Sequence, residues 1–428
     1  MKMDKSIIDF LNKKKECEDV VLVYEGEDSN LTRVGENRIT QNMSKKIEKI
    51  TVEAVKEGRI GSAVTTANNR DAILKSLRDA EEIASHIPRD PEFVPPLEPA
   101  DCTEVNREVE STAKATPLMK AEKILRIIEK AKKKKATVAG SFSNEQGMIA
   151  IMNTRGLSCS HRFTNADFSV TVSVDDASGF ASAVDEDIEK IDVDSLFEDA
   201  LKKAELGKNP MEIEPGDYPV FIDNLALGDF MFYLVFLMQK RSADEGWSFF
   251  SGKEGTKIAC PEITIFSDPA HPQNPSVPFD ISNGGLPLNK KIWIENGVLK
   301  ELWTSRYWAE KNGIEATGMP TNLIMEGGKL SREDIISKID YGLLVNRFWY
   351  IRFVNRQELI LTGMTRDGLF LIEDGKISKA VKNMRFNDSP FSLLNSLKYL
   401  GEGERVYGKN LVPSIFAEKF HFASATKF

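Results

Sequence analysis

A chain of 428 residues is too long for one ordinary hydrophobic core, so two domains are expected. Its 41% hydrophobic and 29% charged residues are those of a soluble globular protein, which sets aside the disordered and fibrous classes. The formal net charge of −8 argues against duplex DNA, because a binder needs a basic face that displaces phosphate counterions.

Residues 1–10 contain no apolar core of the kind a secretory signal needs. Periodicity predicts a helix over 6–15, strands at 20–24 and 31–35, and a hairpin of 47–55 with 60–65 across Glu57-Gly58-Arg59. Residues 69–86 close this unit as an amphipathic helix, with Ile73, Leu77, Ala80 and Ile83 at helical spacing. Pro88, Pro91, Pro95, Pro96 and Pro99 make the next stretch, to residue 99, a stiff extended connector. The pattern of the first unit, about 1–87, returns over about 118–207. It comprises a helix at 119–131, strands at 137–142, 148–152, 157–163, 168–175 and 180–184, a turn at Thr154-Arg155-Gly156, and a closing helix at 196–206. Lysines 132–135 end the first of these helices, where cations suit the dipole, so they read as a solvated helix end. Setting RIGSAV (59–64) against GFASAV (179–184) places Gly61 opposite Ala181 and suggests an internal duplication. Pro210 and Pro215-Gly216 put the end of the N-terminal domain, 1–214, near Glu214.

The second domain, 215–428, starts with a strand at 218–222 and a helix capped by Asn224 that runs to about Ala243. A strand at 263–266, a proline-studded loop at 268–278 and a hairpin across Asn296-Gly297 follow. Ser331 caps a short helix over 331–338 with acidic Glu333 and Asp334 in its first turn. Strands dominate from 341 to 381, and 393–400 reads as a last amphipathic turn or two. Asp367-Gly368 and Asp374-Gly375 are each expected to make a hairpin turn, since those residues tolerate positive φ. Thr365, Arg366 and Asp367 would then sit at a loop held by rigid strands, as candidate contacts for a peptide or partner, or else as a staple of the turn. Helices and strands come in blocks, which predicts an α+β fold with a β-rich C-terminal domain.

Chemistry-bearing residues are sparse. Cys17, Cys102, Cys159 and Cys260 show no paired spacing, so neither a disulfide framework nor a zinc knuckle is expected, and a reducing cytoplasm follows. The longest apolar run, 230–238, is too short to cross a bilayer, so no membrane partner is expected. His86, His161, His271 and His421 lack ligand spacing; His271, His421 and Cys260 could meet only through the fold. Cys159 and His161 share one strand face and read as packing residues. Gly284-Gly285 and Gly327-Gly328 are turn glycines, not phosphate loops. Phe230, Phe232, Tyr233 and Phe236 surround too much of one helix to form a single stripe; they read as core, with part free to line a cleft or interface.

Three segments carry a family likeness. Residues 248–259, SFFSGKEGTKIA, resemble the S-x-F-x-G-K-x-G-x-x-I-A segment of the TldD/PmbA family, and 294–299 its I-E-x-G-V-L hairpin. Residues 362–377 resemble its late T-G-x-x-x-x-G-x-F-x-I-E-x-G-x-I block, with Thr317-Gly318 and Pro320-Thr321-Asn322 in the same frame. In the TldD-like catalytic branch, the helix corresponding to 225–236 carries H-E-x-x-x-H, whose histidines can hold a divalent metal and whose glutamate can act as base. Here Leu227, Gly228, Asp229 and Met231 stand at that place, with no histidine or glutamate in the helix. A later C-G-K segment, whose cysteine resembles a further ligand, corresponds to Tyr407-Gly408-Lys409. The resemblance therefore implies a TldE-like (PmbA-like) subunit with no metal, no cofactor and no catalytic residue of its own. Such a subunit would pair with a TldD-like catalytic partner and help enclose unfolded or extended peptides. A homodimeric peptide-binding scaffold and a hydrolase with a rebuilt metal site are the alternatives. The family's old label, modulator of DNA gyrase, gains no support from this acidic composition.

Overall fold

A computed structural model describes residues 6–105 and 107–425; residues 1–5, within the stretch read for a signal, lie outside them. The N-terminal half builds one antiparallel sheet of six strands: β1 (Asp19–Gly35), β2 (Arg38–Lys56), β3 (Arg59–Thr65), β4 (Thr137–Asn153), β5 (Ser158–Val174) and β6 (Ala177–Asp185). Their order is β3-β2-β1-β4-β5-β6, so two three-stranded units meet where β1 pairs with β4. Helices α1 (Ser6–Lys14) and α2 (Arg70–His86) belong to the first unit. The short α3 (Glu110–Ala113), α4 (Pro117–Lys133) and α5 (Val193–Leu206) belong to the second. Ile73, Leu77 and Ala80 of α2 bury against Val20, Leu22 and Val52. Ile124, Ile127 and Phe197 of α4 and α5 cover Phe142, Phe168 and Val170 in the same way.

The strands are longer than their apolar alternation predicted. Residues 25–30 of β1, between the two strands read there, are mostly polar, yet they pair on one side with 44–49 and on the other with 144–149. Where both neighbours supply backbone partners, the ladder continues without an apolar face. The same holds across 143–147 in β4, between β1 and β5, and at 166–167 in β5, between β4 and β6. The repeat also sits in a different register from the one read. A Cβ on Gly61 would lie 2.0 Å from the Ala80 carbonyl oxygen, and one on Gly179 2.1 Å from that of Ala200. Gly61 therefore corresponds to Gly179, one strand period away from the Ala181 match, because the helix backbone presses on the sheet at that point. Gly179→Ala is expected to destabilise by about 1–3 kcal/mol, since the helix must lift off the strand. Thermal denaturation checks this; an unchanged melting temperature would contradict the close contact.

The expectation of four unpaired thiols fails for one pair. Cys102 and Cys159 form a disulfide, while Cys17 and Cys260 are free. The cause is a packing event with no local sequence signal. The chain before α3 runs along the part of β5 that β6 leaves open: Arg107 bridges Phe163 in parallel, and Thr164 N–H donates to the Arg107 carbonyl at 2.8 Å. His161 lies buried beside this segment, stacked on Phe163, as its strand position suggested.

The C-terminal half is organised by its last strand, Asn410–Ala425, which pairs with four others. One of them, β7 (Gly216–Ile222), also pairs with Tyr341–Asn355, so the path through Tyr341–Asn355, Ile360–Glu373 and Met384–Asp388 closes into a ring. Helix α6 (Asn224–Leu237) follows β7 and packs its Phe230 onto Phe348, 4.9 Å between ring centres, beside Phe386 and Phe420. Two sequence expectations shift here. The cap is Asp223, whose side chain accepts from Asn224 N–H, and the helix ends at Leu237, short of Ala243. Its end is set by a passing segment, because Trp303 N–H donates to the Met238 carbonyl and the Trp303 carbonyl accepts from Lys240 N–H. Likewise Pro390–Asn395 is helical, but 397–400 belong to the strand Leu397–Val406. The Asn296-Gly297 hairpin, the Asp374-Gly375 turn and the Ser331 capping box form as read. No helix among the described residues is long and apolar enough to cross a membrane.

Candidate functional site

Helix α6 is apolar nearly all round because it is sandwiched: Leu227, Phe230, Met231 and Leu234 are buried in the main core. Its one carboxylate, Asp229, points instead toward the turn at Tyr407-Gly408. The Tyr407 hydroxyl donates to Asp229, the Phe348 N–H lies 3.3 Å from its Oδ2, and Asn410 Nδ2 donates to the Gly228 carbonyl nearby. Helix α6 and the Tyr407 turn thus come together here through Asp229 and Tyr407. Burial pushes the Asp229 carboxyl up to about 7, with the hydrogen bonds from Tyr407 and Phe348 and the charge of Arg347 pulling the other way. Burial and the neighbouring Asp229 charge raise the Tyr407 hydroxyl as well.

A single buried carboxyl beside a phenol is poorly suited to a divalent cation, which needs several anionic or imidazole donors around it. The remaining walls include Phe232, Tyr233, Phe348, Trp349 and Tyr350, with Arg352 and Lys409 as the charged residues beside them. These residues do not fit a metal. The alternative built from His271, His421 and Cys260 has no geometry either. His421 bonds Asp217 at 2.8 Å near one end of the last strand, whereas the His271 loop meets the other end, where Asn274 donates to the Lys409 carbonyl. A dozen residues of strand at about 3.3 Å each separate the two. Cys260 bonds Glu262. Among the described residues no three His, Cys, Asp or Glu side chains gather as a metal site.

The Asp229 carboxyl makes stability depend on pH. In the unfolded chain it titrates near 4; folded, it keeps its proton to about 7. Between those values the folded state binds the extra proton, so this group's contribution is complete below about 4 and is lost as pH rises through 7. Asp229→Asn retains an acceptor for Tyr407 and removes the titration. At pH 8.5 the variant is expected to be more stable than the parent by about 2 kcal/mol, with allowance for solvent at the cavity mouth. Parallel melting curves against pH would contradict the assignment.

Beside Asp229 lies a cavity of about 550 Å³, and a second of about 400 Å³ opens on the other side of Phe232. Phe232 is 66% exposed and Phe236 49%, so the aromatic set divides as read: Phe230 is core, and these two face outward. Trp349 and Tyr350 continue the surface, with the guanidinium of Arg366 4.2 Å over Trp349 and that of Arg352 4.4 Å over Tyr350. Such rings with cationic caps offer area to an apolar chain while their edges stay solvated.

Thr365, Arg366 and Asp367 are not in a loop. They lie inside the strand Ile360–Glu373, and Asp367-Gly368 form a bulge instead of a hairpin: pairing passes from Val345–Leu369 to Arg347–Arg366. Asp367 takes φ 53° and Gly368 φ 128°, so the pair supplies the positive φ that was read, within a ladder. The bulge turns Asp367 toward Arg347, which binds it through Nε at 2.7 Å and through Nη2, and toward Ser178 Oγ of β6 at 2.7 Å. Thr365 is buried, donating to Asn383 Oδ1 and accepting from Met384 N–H. Arg366 alone of the three has an exposed side chain, 3.6 Å from Asp367. Arg347, which the sequence did not single out, is the staple, and its guanidinium lies 3.9 Å over Phe180.

The sequence and fold have known counterparts. A PmbA/TldA metallopeptidase central domain matches residues 104–207, and a PmbA/TldA metallopeptidase C-terminal domain matches residues 215–424. The chain belongs to the PmbA/TldD family. A metalloprotease TldD homolog of Buchnera aphidicola (subspecies Acyrthosiphon pisum) is 26% identical over 313 residues, 64% of this chain and 63% of that protein. A metalloprotease of Methanothermobacter thermautotrophicus is 28% identical over 179 residues, 38% of this chain and 37% of that one. The chain thus spans less than two thirds of the length of these relatives. The crystal structure of TldE from Thermococcus kodakarensis superposes with a TM-score of 0.88 at 22% identity, covering 98% of this PmbA/TldD chain and 99% of the other. A Thermotoga maritima protein with the provisional name of a modulator of a DNA gyrase gives 0.86 at 20% identity, over 98% of each chain.

Proposed function

We propose that this PmbA/TldD chain is the TldE-like, non-catalytic subunit of a two-chain metallopeptidase that acts on unfolded or extended peptides. The observation that carries this reading is the Asp229–Tyr407 contact. It occupies the meeting point of α6 and the Tyr407 turn with one carboxyl and one phenol, so the chain's own residues there supply no metal cage. What they supply is wall: outward Phe232 and Phe236, the capped Trp349 and Tyr350, and strand backbone. These suit holding an extended chain or a catalytic partner. The boundary between domains 1–214 and 215–428 is part of this proposal, supported by the family matches ending at 207 and resuming at 215.

Equilibrium dialysis against micromolar zinc tests the reading. The chain is expected to retain far less than one equivalent. Retention of one equivalent that disappears in Asp229→Ala, His271→Ala or His421→Ala would overturn it in favour of a hydrolase with its own site.

A further inference from the structure

The cavity of about 550 Å³ beside Asp229 falls within the roughly 300–1,000 Å³ of pockets that take small ligands. Its walls can be reached from solvent, since Phe232, Trp349, Tyr350 and Tyr407 are all exposed. Contiguous aromatic surface left open on a folded chain marks a place where something else seats. Two cations line the same cavity, Arg352 and Lys409, and both are exposed as well.

The charges select what that is. Arg352 gives Nη1 to the Ile351 carbonyl at 2.7 Å and bonds the Tyr233 hydroxyl, so its partners are neutral groups. The Lys409 ammonium has no hydrogen bond or ion pair among the described residues. Asp229 is the one acidic residue of the lining, and the Tyr407 hydroxyl and the Phe348 N–H take up its carboxyl. Two cations against one bonded carboxyl leave an apolar cavity with a net positive lining, in a chain whose net charge is −8. A carboxylate meets such cations in charge-assisted hydrogen bonds, the stronger for the aromatic walls around them.

We propose that this cavity binds the carboxyl terminus of a peptide ending in an aromatic residue, the terminal carboxylate pairing with Lys409 in the field of Arg352 and the last side chain lying among Phe232, Trp349 and Tyr350. A terminal residue carries its side chain and its carboxylate on one carbon, so both reach one cavity. An aspartate or glutamate inside a chain spends its side chain on the charge and brings no apolar group from the same carbon. The inference rests on the reading of the chain as a peptide-handling subunit and adds which end of the peptide it holds.

Calorimetric titration of the full chain with acetyl-Ala-Ala-Phe, its C-terminal amide, acetyl-Ala-Ala-Ala and acetyl-Ala-Phe-Glu amide tests this. The free acid ending in phenylalanine is expected to bind, and the other three to be weaker by about tenfold or more, equivalent to about 1.4 kcal/mol. Lys409→Gln should weaken the free acid about tenfold at an unchanged melting temperature, while Lys409→Arg should retain it. No binding of the free acid at about 10 mM, weaker than a millimolar Kd, would overturn the assignment. So would equal binding of its amide or of the alanine peptide, or an affinity untouched by Lys409→Gln. Equal binding of the glutamate peptide would overturn it in favour of a side-chain carboxylate. The titration uses this chain alone, so its failure leaves the role beside a catalytic partner standing, and loss of that role leaves a positive titration standing.

Discussion

Asp367→Ala is expected to lower stability by about 3–5 kcal/mol, the effect of removing one partner from a buried ion pair. Arg347 and Asp367 side chains are 14% and 4% exposed, so the guanidinium would remain under protein, with Phe180 on its face and no ion-pair partner among the described residues. The same carboxylate accepts from Ser178, so the change also loosens the contact between β6 and the bulged strand. Chemical denaturation measures this as a fall in midpoint. A loss below about 1 kcal/mol, the size typical of exposed pairs, would show that the bulge does not depend on the pair.

Arg366→Ala should behave in the opposite way. Its side chain is 45% exposed, its distance of 3.6 Å to Asp367 is outside hydrogen-bonding range, and its clearest contact is the face of Trp349. Removing it is expected to leave the melting temperature unchanged and to reduce the activity conferred on a TldD-like partner about tenfold, through loss of a bidentate carboxylate contact. The pair of variants separates staple from surface: one neighbour holds the fold, the other faces whatever the fold meets. An early-melting Arg366→Ala would reverse that division.

Much of the architecture was legible because its causes are local. Ser331 caps its helix, Asn296-Gly297 forms its turn, and Ile73, Leu77 and Ala80 bury as their spacing requires. Illegible features depend on partners far away in the chain. Residues 25–30 are strand because β2 and β4 flank them, and Cys102 meets Cys159 because the connector takes an open edge. Asp367-Gly368 suits both a hairpin and a bulge, and only the neighbouring strand decides between them. The contact of Asp229 with Tyr407 had no signal in the sequence, since nothing in either local pattern links positions so far apart. Arg352 carries no signal either: it is an ordinary strand residue until α6 packs beside it.

The account's central claim is that this chain contributes walls and binding groups to a peptidase whose metal-activated water belongs to another chain. The most direct measurement follows hydrolysis of an unstructured peptide by this chain alone, by a TldD-like partner bearing H-E-x-x-x-H alone, and by their mixture. The account predicts silence from this chain and a mixture well above the partner by itself. Hydrolysis by this chain alone, or a mixture no more active than the partner, would contradict it.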